Sequence, residues 1–129
     1  MVSPAELEHI EYERRGDVGI WRTTDFAALF DSGEVATAEQ HYREEASDDA
    51  MAATIVVIEG ADELGADLRD TLDHINDQWS QLADEVDVDR VAYVAEGLMS
   101  WTVQSKIESE AEAGSFDSVD EALEWARAA

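Results

Sequence analysis

The sequence predicts an α/β domain with a mixed sheet that starts as an antiparallel hairpin, continues as parallel strands and carries helices packed against it. Three observations lead there. Residues 9–14 and 18–23 alternate apolar and polar side chains on either side of Arg15-Gly16-Asp17, the pattern of a hairpin. Residues 53–58 and 90–95 are short, apolar and rich in branched or aromatic residues, which suits strands covered on both faces. Between and after them, apolar residues recur three and four apart, the spacing of helices with one buried side. Strand and helix then alternate in the second half of the chain, which implies a parallel sheet. With 129 residues, the chain fits one domain spanning 1–129, with residues 1–6 as a loose N-terminus.

In chain order, His9-Ile10-Glu11-Tyr12-Glu13-Arg14 and Val18-Gly19-Ile20-Trp21-Arg22-Thr23 are the hairpin strands. Residues 25–35 read as an irregular connection, because Ser32-Gly33 breaks the amphipathic turn suggested by Phe26, Leu29 and Phe30. Thr37-Ala38-Glu39-Gln40 has the spacing of a capping box and should open a short helix running to about Ser47. Residues 53–58 are the next strand, ended by Glu59-Gly60-Ala61. Leu64, Leu68, Leu72, Ile75, Trp79, Leu82 and Val86 form one stripe of a long helix, with Asp70, Asp73, Asp77 and Asp84 on the opposite side. Asp62 and Glu63 place negative charge at its N-terminus, where the helix dipole favours it. Residues 90–95 are a second buried-type strand. Met99, Val103, Ile107 and Ala111 predict a helix over 97–113 that stops at Gly114. Ser115-Phe116 has room for a brief edge strand, and Ser118-Val119-Asp120-Glu121 is a second capping box opening the last helix.

The charge balance is 32 acids against 8 bases, a net charge of −24, and Lys106 is the single lysine. The acids are dispersed among periodic apolar residues, so they do not form a disordered acidic tail. A charge this large repels itself in ordinary buffer but is tolerated near molar salt, where the Debye length falls to about 3 Å. The expected setting is the cytoplasm of a halophilic archaeon. The seven Arg are scattered, so a phosphate-binding stripe is absent and nucleic acid is disfavoured as a partner. No stretch approaches the roughly 18 apolar residues of a spanning helix, and the first residues lack the regions of a signal peptide. The absence of cysteine excludes disulfides, thiolate nucleophiles and Cys-ligated zinc.

Two segments resemble the SpoIIAA-like proteins of the broader STAS superfamily. Asp89-Arg90-Val91-Ala92-Tyr93-Val94 is similar to that group's strand after a long helix. Residues 116–125, Phe-Asp-Ser-Val-Asp-Glu-Ala-Leu-Glu-Trp, are similar to its closing helix. The resemblance implies the fold given above and a regulatory role through protein partners. STAS antagonists carry a phosphorylatable serine in an Asp-Ser-Ser-Gly pattern. Here the counterpart is Asp62-Glu63-Leu64-Gly65, which lacks both serines, so the phosphate switch does not carry over. The loop Gly60, Ala61, Asp62, Glu63, Leu64 and Gly65 remains the expected contact for a protein partner. The family's relation in shape to Sec14-type domains adds a small apolar or lipid-like ligand as the alternative.

Catalytic patterns are missing. Gly60 and Gly65 do not have the spacing of a phosphate-binding loop, and Ser80, Ser100 and Ser105 lack a nucleophile-elbow context. The carboxylates are too numerous for a general-acid pair to stand out. The chain is therefore expected to be non-enzymatic, without metal or cofactor. A metal-dependent enzyme using His9, Glu11 and His41 or His74 is the weaker alternative. His9, Glu11 and Glu13 fit an exposed strand face better than a metal site, which needs convergent donors. His74, near Asp70, and His41, near Glu44 and Glu45, read as surface groups. Trp79, Trp125, Tyr93 and Met99 read as core. Trp101 lies off the Met99–Val103–Ile107 line and is the candidate for a groove or a subunit interface, including a homodimer.

Overall fold

The computed structural model describes residues 9–24, 26–47, 51–59, 68–86, 88–95 and 112–127. A single five-stranded sheet runs in the order β1 (Ile10–Arg15), β2 (Val18–Thr23), β3 (Ala53–Ile58), β4 (Arg90–Val94), β5 (Glu112–Phe116). The first pair is antiparallel and the other three are parallel. The expected α/β arrangement, a hairpin followed by parallel strands with helices against them, is therefore the one observed.

Each strand's place follows from its side chains. The hairpin closes through Arg15↔Val18, leaving Gly16 and Asp17 in the turn, and Gly16 takes φ 64°, a conformation that favours glycine. β1 lies at the sheet edge and points Glu11, Glu13 and Arg15 outward, charges that discourage pairing with another strand. The apolar β3 sits in the centre, as a strand covered on both faces should.

Helices lie on both sides. On one face pack α1 (Phe26–Asp31), α2 (Glu34–Ala46) and a continuous helical run made of α3 (Leu68–His74), a π-helical turn (Ile75–Trp79) and α4 (Ser80–Val86). On the other packs α5 (Val119–Arg127). Alternation along the strands sorts the core into two layers. Trp21, Ile58, Val91 and Tyr93 join Phe26, Leu29, Tyr42, Ile75 and Leu82 on the first face. Val18, Ile20, Ile55, Val57, Ala92 and Val94 meet Ala122, Leu123 and Ala126 on the second. Burying each such aliphatic side chain is worth roughly 1.5–3 kcal/mol against conformational entropy.

Three local expectations are corrected. Residues 26–31 are a helix rather than an irregular connection, because Phe26 and Leu29 are drawn into the core, at 1% and 2% exposure. The second helix begins at Glu34, so Thr37 lies inside it and caps nothing. Gly33, at φ 78°, makes the turn, and the Glu34 N–H donates to Ser32 Oγ at 3.3 Å. Glu112 and Ala113 belong to β5 rather than to the end of a helix, paired with Arg90 and Val91. The remainder of the helix expected over 97–113, like residues 60–67, falls outside the described residues. The N-cap half of the last capping box forms as expected, with Glu121 N–H donating to Ser118 Oγ at 3.3 Å.

Candidate functional site

Aligned pairing places Tyr12, Trp21, Val56 and Tyr93 in one row across four strands, all on the α1–α4 face. A row this rich in aromatic rings cannot be tiled evenly by helices, and a cavity of about 50 Å³ remains. Its floor is Ile10, Trp21, Thr23, Val56 and Tyr93, and its walls come from Leu29 of α1, Val35, Ala38, Glu39 and Tyr42 of α2, and Trp79 and Leu82. Val35, Glu39, Val56 and Trp79 stay half-buried and mark the side open to solvent. Val56 lies at the middle of the central strand, where complete cover is the rule. The rings brace one another: Trp79 stacks on Tyr93 at 6.0 Å, Phe26 meets Trp79 edge-on, and Trp21 leans on Tyr42 with centroids 4.7 Å apart.

Among the described residues one charged group, Glu39, borders this cavity. Glu39 Oε2 accepts hydrogen bonds from His74 Nε2 at 2.7 Å and from Trp79 Nε1 at 3.0 Å. A carboxylate oxygen can only accept here, so His74 carries its hydrogen on Nε2. The local backbone explains how both donors reach one oxygen. His74 and Trp79 are five residues apart, which in an α-helix puts them about 140° apart around the axis. The intervening π turn has i→i+5 bonding and brings positions five apart close to one side. The widened turn is therefore what lets two side chains of one helical run grip a carboxylate of another.

A second polar contact lies behind the aromatic wall. His41 is fully buried, and its Nδ1 accepts the Trp21 indole N–H at 2.9 Å. The neutral ring then holds its hydrogen on Nε2. That atom has no hydrogen-bond partner among the described residues, and Glu45 Oε1 stands 3.9 Å away. Burial lowers the His41 pKa from 6.5, against an upward pull from Glu45 and Glu44. Tyr42 shares a 2.8 Å hydrogen bond with Thr54 Oγ1, and burial pushes its hydroxyl up to about 12. Burial likewise raises Tyr93 well above 10.0.

Gly19 is needed for the same wall. A Cβ there would stand 2.7 Å from Trp21 Cζ3 and 2.8 Å from Met51 Cε, so glycine leaves the space the indole occupies.

The sequence-derived candidates fall differently. Gly60, Ala61, Asp62, Glu63, Leu64, Gly65 and Trp101 lie outside the described residues. His41, read as a surface group, is buried because α2 turns it toward Trp21 and Tyr12. His74, expected near Asp70, is held by Glu39 across a helix–helix contact. Trp79, read as core, does pack half-buried against the core cluster and also lines the cavity. Glu11 and Glu13 are exposed on the edge strand, and no group of three or more metal-binding side chains occurs among the described residues. No helix of the described residues is long and apolar enough to cross a membrane. Glu39 was missed because its partners lie 35 and 40 positions away, beyond any local spacing rule. Comparison with family models, curated proteins and solved structures gives no match.

Proposed function

We propose that this chain is a non-enzymatic binding domain that holds a small apolar ligand between the sheet and helices α1 to α4. The observation that carries the proposal is the cavity over Val56, an aromatic-lined opening above the middle of a central strand. Ligand sites are typically concave, mostly apolar and furnished with a few placed polar groups, and here Glu39 is such a group. The π turn supports the reading, since such turns often mark functional positions. The SpoIIAA-like resemblance, with its relation to Sec14-type domains, points the same way. It is supported by the order of elements, a strand at Arg90–Val94 after a long helical run and a closing helix at Val119–Arg127.

Native mass spectrometry of protein purified without leaving salt tests the proposal. A bound adduct is expected, and it should be lost when Val56→Phe fills the cavity. A clean ligand-free spectrum, together with no response to added small apolar molecules, overturns it.

The acidity belongs to the same proposal as the solvent side of a salt-adapted cytoplasmic domain. Its support is that Glu11, Glu13, Asp17, Asp70, Asp73, Asp77, Asp84, Asp117 and Asp120 are all exposed.

A further inference from the structure

The lining of the cavity also selects the chemistry of its occupant. Among the described residues that line it, Glu39 alone carries a charge. The Trp21 N–H is engaged on His41 and the Trp79 N–H on Glu39, Tyr42 shares its hydroxyl with Thr54, and the Thr23 and Tyr93 hydroxyls of the lining can donate or accept. On Glu39 both hydrogen bonds fall on Oε2, and Oε1 accepts from no side chain among the described residues. The charged group of the lining therefore offers an acceptor, which favours a ligand that brings a donor. An anionic head group is opposed twice, by this carboxylate and by the net charge of −24. Trp21, Tyr42, Trp79 and Tyr93 suit an apolar body, and aromatic lining also accommodates organic cations through the ring quadrupole.

We propose that the cavity takes a small alkyl- or arylammonium ion, its N–H groups on Glu39 Oε1 and its apolar body among the four rings. The proposal rests on the ligand-pocket reading and narrows it to cationic amines, excluding fatty acids and phosphate esters.

The test titrates the full chain in molar KCl with three probes of equal chain length, n-butylammonium, 1-butanol and butyrate, read by tryptophan fluorescence and calorimetry. Butylammonium is expected to bind about tenfold more tightly than butanol, with no binding of butyrate. In Glu39→Gln, which keeps an acceptor for His74 and Trp79, the ratio of ammonium to alcohol affinity should fall to near one. In Glu124→Gln, an exposed charge on the opposite face, the ratio should stay as it was. A thermal melt of each variant confirms folding before titration. The ammonium assignment is overturned if butanol binds as well as butylammonium, or if the preference persists in Glu39→Gln, which would make it diffuse surface attraction. Butanol binding in those cases leaves the apolar pocket standing. Failure of all three probes removes both the assignment and the pocket reading.

Discussion

The two faces of the sheet are built by different rules. Beneath α5 the closed part of the layer is aliphatic: Ile20, Ile55, Ala92 and Val94 interlock with Ala122, Leu123 and Ala126, all at 5% exposure or less, with Phe116 and Trp125 half-buried beside them. Every buried ionisable side chain among the described residues, His41, Tyr42 and Tyr93, lies on the opposite face, as do the cavity and the π turn. One sheet thus has a face filled for stability and a face where polar groups and open space are retained. Polar burial is costly unless satisfied, and voids forfeit dispersion contacts. Both concentrate on one side of an otherwise well-packed domain, the side on which the proposed ligand site lies.

The largest expected effect acts on both faces together. Transfer from molar KCl to dilute buffer should unfold the protein, followed by far-UV circular dichroism along a salt titration, because self-repulsion of 24 net negative charges is then unscreened. A domain that stays cooperatively folded in dilute buffer would instead mark the acids as a surface for a cationic partner. Next in size, Leu123→Ala beneath α5 should cost about 2–5 kcal/mol in chemical denaturation while leaving ligand affinity unchanged, since it removes packing far from the cavity. A change in affinity would show that the faces are coupled. A matched pair of enlargements should then separate the faces by sign. Ala92→Val enters a closed layer and should cost about 1–3 kcal/mol. Val56→Ile extends into the cavity and should be neutral or stabilising by up to about 1 kcal/mol. Equal losses at the two sites would mean the cavity is not space the side chains can use.

The smallest effect concerns pH. Because burial lowers the His41 pKa from 6.5 in the folded state, the unfolded chain takes up its proton first on acidification. The His41 contribution is complete above pH 6.5 and is lost as the pH falls from there through the lower folded value. Protonation also turns Nδ1 into a donor, which ends the hydrogen bond from Trp21. Denaturation midpoints between pH 7.5 and pH 5 should therefore fall more steeply for the wild type than for His41→Gln, with a parallel change in Trp21 emission. Identical slopes would assign the acid sensitivity to the carboxylates.

Much of the fold could be read along the chain. The hairpin around Gly16 was local chemistry, and the apolar runs at Ala53–Ile58 and Arg90–Val94 announced covered strands. The last helix was visible from Ser118 onward for the same reason, since a cap bonds within one turn. Phe26 and Leu29 were harder, because six helical residues beside Ser32-Gly33 have weak intrinsic preference and are helical chiefly through burial. The stripe from Leu64 to Val86 suggested one regular helix, and its periodicity held no sign of the π turn at Ile75–Trp79. The steps of three and four were right for Ile75, Leu82 and Val86, which are buried, but silent about where His74 and Trp79 would point.

By itself, then, the sequence determined the class of the fold, the place of its strands along the chain and the absence of cysteine chemistry, because those depend on composition and on patterns within a few residues. Tertiary structure alone decided that Glu39, His74 and Trp79 meet at one carboxylate oxygen, that His41 is buried against Trp21, and that Val56 opens onto a cavity. The physical reason is distance along the chain. Periodicity tells which side of a helix is buried, while the partner of a buried polar group is chosen by how two crossovers stack on a shared sheet, 20 to 40 residues apart in these contacts.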